Sequence, residues 1–354
     1  MKKRRESIVD HGAMIISLDC ELYWGIHDVM DIADYQNNLL GVRQVVPRML
    51  DLFKSLDIHV TWATVGFLFY SDKQKLLANL PDKKPGYSDK GLSPYPKIKN
   101  IGEGETTDPF HYASSLIDII KKVPFQEIGT HTFSHYYCLE EGQNGDDFEA
   151  DLKAAVHAGV HKDVNIKSIV FPRNQINEQY LHICQKHGLS TYRGNEQSFL
   201  YNPDCHKKNQ SVYKRALRLL DTYINITGDH IYSLEEKHQL SVINLPSSKF
   251  LRPYNHHLRW AEPLKLNRIK KSMTKAAKEK KIYHLWWHPH NFGIHIEENC
   301  RLLKNILEHF KELQHKYGMQ SMNMGEVGSF INDAHNKSDG ELLQNTHVKK
   351  NYII

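Results

Sequence analysis

Ala13-Met14-Ile15-Ile16-Ser17-Leu18-Asp19-Cys20-Glu21 is the stretch on which the fold turns. A short, almost wholly apolar run ends in two carboxylates, as a buried strand does when it delivers polar groups to the edge of a sheet. In an extended chain alternate side chains share a face, so Asp19 and Glu21 point one way and Cys20 the other. Packing gives little reason for two acids to leave one apolar strand together. The competing reading is an N-cap followed by a solvated acid.

Outward from this strand, apolar β-rich runs alternate with longer amphipathic segments, the pattern of a parallel sheet or barrel with crossover helices. Strands are predicted at 13–18, 58–64, 126–129, 168–171, 189–192, 241–245 and 282–287, with a weaker one at 319–322. Helices are predicted around 37–56, 109–122, 146–161, 177–187, 211–225, 262–280 and 296–316. The expected fold class is α/β, a distorted (β/α) barrel of about seven to eight strands. Residues 1–10 form a basic leader, 11–335 the barrel and 336–354 a polar tail. Residues 71–105, rich in Lys, Pro, Gly and Ser, read as a loop insertion, where specificity or a lid usually resides.

Composition narrows the function classes. The 354 residues are 40% hydrophobic and 25% charged, an ordinary globular chain. The net charge of +5 owes four units to Lys2, Lys3, Arg4 and Arg5. The remainder lacks the field of a nucleic-acid binder, though the leader suits peripheral contact with anionic lipid. Five widely spaced cysteines with no CxxC pair argue against a disulfide framework and for a reducing compartment. The absence of an apolar leader or a spanning segment points to the cytoplasm. The 23 histidines are the unusual count, and histidine is the commonest metal ligand.

Three more strand ends carry candidate chemistry. Glu127–His135 runs a strand into His131-x-x-x-His135; if the chain turns helical, both imidazoles share one face, as a divalent cation requires. His157/His161 and His284/His288 share the spacing, the first pair at a helix end where a cation meets the macrodipole. Phe171-Pro172-Arg173-Asn174 places an Arg where it could clamp a carboxylate or meet an anionic substrate. His284–Phe292 brings His288 and His290 out beside two tryptophans, as candidate general acids. In a barrel all of these ends converge on one face.

These motifs resemble the polysaccharide deacetylase family of carbohydrate esterases, over most of residues 13–331. The Ser-Leu-Asp-x-Glu-Leu-x-Trp-Gly start, Phe-Pro-Arg-Asn and His-Pro-His-Asn-Phe are most similar to a branch associated with bacterial surface-polysaccharide gene clusters. The resemblance implies a divalent metal, zinc by default, held by a carboxylate and the pair His131 and His135. It further implies that Glu21 is the carboxylate ligand, Asp19 the catalytic base, Arg173 its orienting partner and His288 the acid, with His290 as the competing acid. Trp24, Trp287 and Asn174 are expected to contact substrate. The family's adjacent Asp-Asp is here Asp19-Cys20, so either Glu21 takes the second acid's role or Cys20 supplies a thiolate.

The expected function is hydrolysis of an N-acyl group, most simply N-acetyl, from a sugar or lipid-linked glycan intermediate of polysaccharide biosynthesis. Two alternatives are a small-molecule amidohydrolase with the same constellation and a catalytically inactive glycan-binding relative.

Overall fold

The computed structural model describes residues 11–201, 212–233 and 242–333. Its strands are β1 (Ala13–Cys20), β2 (Val60–Thr64), β3 (Gln126–Thr130), β4 (Ser168–Ile169), β5 (Thr191–Tyr192), β6 (Ile243–Asn244), β7 (Lys249–Phe250), β8 (Ile282–Trp287) and β9 (Gln320–Met322). Between them lie α1 (Ile32–Ser55), α2 (Lys73–Ala78), α3 (Ser114–Ile120), α4 (Gly145–Val160), α5 (Leu181–Lys186), α6 (Val212–Tyr223), α7 (Glu262–Lys278) and α8 (Ile296–Tyr317). The strands lie in the order β6-β5-β4-β3-β2-β1-β8-β7, and every pairing is parallel. This is the expected α/β barrel, curled and distorted.

β1 is the central strand. One edge pairs with β8, while the other is shared between β2, opposite Ser17–Cys20, and β9, opposite Ala13–Ile15. The two ends of the row belong to one continuous segment. β6 pairs with β5, four residues follow, and β7 pairs with β8. Within that link the Gly194 amide donates to the Leu245 carbonyl and the Ser248 amide to the His284 carbonyl, so a single stretch joins both edges. The sequence pattern did not show β7, because two residues are too few to set a periodicity.

Alternation along β1 sorts the interior. Met14, Ile16 and Leu18 join the large core beneath the helices, with Val42, Val46 and Met49 of α1 and Leu303, Ile306 and Phe310 of α8. Ala13 and Ile15 face the barrel axis, where Ala63, Val170, Leu245 and Ile282 meet Met324, Val327 and Ile331 of the helical stretch 324–333. That helix plugs the bottom of the barrel with apolar side chains. The next inward residues of β1 are Ser17 and Asp19, with Glu21 just beyond the strand, so polarity rises toward the C-terminal strand ends.

Residues 71–105 are an ordered insertion rather than an open loop. They carry α2 and two short 3-10 turns, and bury Leu76, Tyr87, Ile98 and Ile101. The basic leader and the polar tail lie outside the described residues. No described helix is long and apolar enough to cross a membrane.

Candidate metal centre and its surroundings

Glu21 follows β1 and turns back under the 3-10 turn at 22–25. Gly25 makes this path available. A methyl group there would lie 1.9 Å from the Glu21 carboxyl carbon, so only glycine leaves the acid its place. The Glu21 Oε2 lies 3.3 Å from His131 Nε2 and 3.1 Å from His135 Nε2. Among the described residues these three form the group of His, Cys, Asp or Glu side chains that could hold an ion, and all are buried.

The histidine pair converges by a different route from the helical turn that its spacing suggested. After β3 the chain bends through positive φ at Thr132 (62°) and His135 (58°). Asp151 of α4 fixes the bend, accepting from the Phe133 amide at 2.7 Å and the Ser134 amide at 3.1 Å, and from the Ser134 hydroxyl. The Thr132 carbonyl accepts from the Gly66 amide at 2.9 Å. A side chain on another element thus replaces the helix ladder, and the rings still stand 5.1 Å apart. His157 and His161 end α4 with rings 4.3 Å apart, and belong to no such cluster.

Asp19 has a different partner from the one expected. Arg193, directly after β5, grips it bidentately, Nη1 to Oδ1 at 2.7 Å and Nη2 to Oδ2 at 2.8 Å. The guanidinium stacks on Trp286, 4.0 Å from the ring centroid, and donates to Ser17 Oγ and Asn174 Oδ1. Ser17 in turn donates to His284 Nε2, whose Nδ1–H donates to the Leu245 carbonyl. Burial, reinforced by Arg193, depresses His284 to about 3, which keeps that ring neutral for this relay. Burial alone would raise the Asp19 carboxyl, but the Arg193 charge overcomes it and the group sits below its ordinary value.

Arg173 is directed elsewhere. Its backbone turns at a positive φ of 54° after Pro172, and its side chain pairs with Asp28 and stacks 4.1 Å over Tyr137. Reading Arg173 as the residue orienting Asp19 is therefore corrected to Arg193. The same strand-end logic could have found it, since Thr191-Tyr192-Arg193 continues the inward alternation of β5.

Of the histidines ending β8, His288 Nε2 lies 3.5 Å from Glu21 Oε1 and 3.7 Å from Asp19 Oδ2. Its side chain retains 22% exposure, whereas that of His290 retains 5%. Burial, with His288 nearby, lowers His290 to about 3 and holds it neutral. His288 faces a cleft of about 210 Å³ that Arg173, Asn174 and Trp286 also line. Asn174 lines this cleft. Trp24 and Trp287 do not, because both are fully buried. Trp24 donates to the His111 carbonyl and Trp287 stacks on Phe292. Counting by twos from His284 puts Trp286 on the inward face.

Cys20 is not part of the group that could hold an ion. Burial pushes its thiol well above the usual range, and the charges of Asp19 and Glu21 push it further.

No protein-family model matches the chain, and no curated protein matches it in sequence. Solved structures do match. One described as a polysaccharide deacetylase from Mycobacterium smegmatis superposes with a TM-score of 0.59 at 13% identity, over 92% of each chain. The fold is that of the polysaccharide deacetylases. A second protein so described, from Pseudomonas aeruginosa PAO1, gives a TM-score of 0.53 at 9% identity over 91% of each chain. An allantoinase shares the deacetylase fold with a TM-score of 0.55 at 10% identity, over 94% of this chain and 95% of its own.

The site's donors suit a divalent ion. Two neutral-capable imidazoles and one carboxylate leave coordination positions open, as catalytic rather than structural centres do. Glu21 supports this reading. Burial opposes its charge, yet His288, His131 and His135 hold it well below the carboxylate range, so the pocket is built around an anion. The Nδ1 atoms of His131 and His135 have no hydrogen-bond partner, which leaves each ring free to place its proton there and present Nε2 as a ligand.

Proposed function

We propose that the protein is a metal-dependent N-deacylase that removes an acyl group, most simply acetyl, from an amino sugar or a lipid-linked glycan intermediate in polysaccharide biosynthesis. The carrying observation is the division between the two acids, Glu21 with the histidine pair and Asp19 with Arg193. Glu21, His131 and His135 would hold the ion, zinc by default, whose charge polarises the acyl oxygen and acidifies water.

The rest is done by the chain. Asp19, fixed by Arg193, accepts the proton of the attacking water. His288, at the cleft, gives a proton to the departing nitrogen as the amide C–N bond breaks. The products are a carboxylate and a free amine. The described cysteines are all free thiols, which suits a reducing, cytoplasmic setting. The allantoinase that shares the fold motivates a second reading, hydrolysis of a small cyclic amide.

The test measures amine and acetate released from N-acetylated sugar conjugates by zinc-loaded protein. Asp19→Asn is expected to abolish release while retaining the metal, and full activity in that variant refutes the assignment. Turnover of cyclic amides without acetate release would favour the second reading.

A further inference from the structure

The cleft beside His288 has a composition that the hydrolysis of an amide does not call for. Among the described residues its wall carries four cations, Arg173, Arg218, Lys249 and Arg252, against one acid, Glu196. Burial raises Glu196 above its ordinary value, which disfavours even that negative charge. Arg173 and Lys249 have acids behind them, Asp28 and Asp221. Asp221 is also the partner of Arg268, so one carboxylate serves two cations. Arg252 donates through Nε to the hydroxyl of Thr222 at 2.9 Å, and no described carboxylate pairs with it. Burial depresses Lys249 to about 8 and lowers Arg252 as well, a cost that an incoming anion would offset.

Geometry ties this charge to the chemistry. His288, which lies 3.5 Å from Glu21 and 3.7 Å from Asp19, lines the same cleft, together with Trp286 and Phe250, whose rings are 4.6 Å apart. A sugar ring standing on those aromatic faces would place its N-acyl group toward Glu21 and its far end among the cations. We propose that this cleft is an anion subsite that takes the phosphate or diphosphate of a glycosyl phosphate, so that the substrate is an N-acylamino sugar carrying that group. Arginine forks match phosphate oxygens bidentately, and a partly enclosed site strengthens the attraction. The inference rests on the deacylase reading for its substrate but not for its binding measurement.

The experiment titrates the full chain calorimetrically with N-acetylglucosamine 1-phosphate and with the neutral methyl glycoside. Wild type is expected to bind the phosphate at least tenfold more tightly. Arg252→Gln is expected to lose that preference, and Arg252→Lys to keep most of it. His131→Ala is expected to keep it too, because the preference belongs to the cleft and not to an ion at Glu21. Equal binding of the two ligands by wild type, a preference that survives Arg252→Gln, or one that vanishes in His131→Ala overturns the subsite. Nucleoside-diphosphate and short-prenyl-diphosphate conjugates of the same sugar then separate a soluble donor from a lipid-linked one. Phosphate preference without amine release would sink the deacylase and leave the subsite standing. Amine release with no phosphate preference would do the reverse.

Discussion

Replacing Arg193 by Met gives the sharpest check on the site. The side chain is fully buried and Asp19 is 3% exposed, so solvent cannot take over the lost partner. Breaking one side of a buried ion pair typically costs ~3–5 kcal/mol. The geometry supports the upper part of that range, since the variant loses two charge-assisted bonds, the bonds to Ser17 and Asn174, and the stacking on Trp286. The stranded carboxylate has one escape, which is to take up a proton. From its reference value of 3.8 this costs about 4.4 kcal/mol at pH 7 and about 1.6 kcal/mol at pH 5, at ~1.36 kcal/mol per unit. The penalty therefore has a pH signature. In the wild type the depressed Asp19 stabilises the fold above its unfolded value and loses that contribution as pH falls; in Arg193→Met the penalty instead grows with pH. At about 2 °C per kcal/mol, the melting temperature should drop by about 9 °C at pH 7 and about 3 °C at pH 5. Amine release should fall about 100-fold, the scale of a misplaced catalytic group. Asp19→Asn in the Arg193→Met background removes the stranded carboxylate and should remove the pH signature with it. Thermal melts at both pH values, run on both variants, decide the matter. An Arg193→Met variant that melts like wild type at both pH values, or a pH-dependent loss that survives in the double variant, would refute the reasoning.

Three further outcomes follow from particular contacts. Gly25→Ala forces the Glu21 carboxyl from a position 1.9 Å from the new methyl, so divalent-ion affinity, read by competition with a chromophoric chelator, should weaken about 10–100-fold with the fold retained. Burial pushes Asp151 up to about 7, so its contribution to stability is present in acid and fades as pH rises toward neutrality. Asp151→Asn should erase that component from urea midpoints measured between pH 4 and 7, and should cost ~1–3 kcal/mol by orphaning a donor in the 131–135 bend. Cys20, a buried and raised thiol, should resist alkylation at pH 8 in the native protein, and Cys20→Ala should keep at least half the activity; loss of turnover there would reinstate the thiolate.

The sequence carried much of this architecture in its periodicities, and its failures have identifiable physical causes. The long strands 13–20 and 282–287 and the long helices were visible because each spans several periods of its own pattern. Strands β4 to β6 are two residues each and fall inside the runs expected at 168–171, 189–192 and 241–245, whereas β7, equally short, is placed by its pairing with β8 and no local pattern marks it. The His131/His135 spacing fits a helix, but Asp151, about twenty residues on, imposes the bend through hydrogen bonds that no local window contains. Arg173 and Arg193 both follow strands. Pro172 sends the first into a left-handed turn, while the second keeps the inward phase of β5 and meets Asp19. Trp286 and Trp287 differ in the same way, by one step of alternation.

The two acids leaving β1 end up compensated by different kinds of charge, and this gives the site its direction. Asp19 faces a guanidinium that stays protonated at any working pH, so its ionisation owes nothing to a bound ion. Glu21 faces only imidazoles, His131 and His135 at its Oε2 and His288 and His290 at its Oε1. Burial holds His290 neutral and lowers His135 below its ordinary value. Glu21 is therefore a buried carboxylate among nitrogen donors, and among the described residues no Lys or Arg is paired with it. A divalent ion would supply the cation that Glu21 lacks, while Asp19 keeps a partner of its own. A chain with its Arg on Glu21 instead would place the permanent cation where the metal must go, and would leave Asp19 free to protonate. The strand-end position that sets Arg193 against Asp19 is thus what keeps the histidine pair available for an ion.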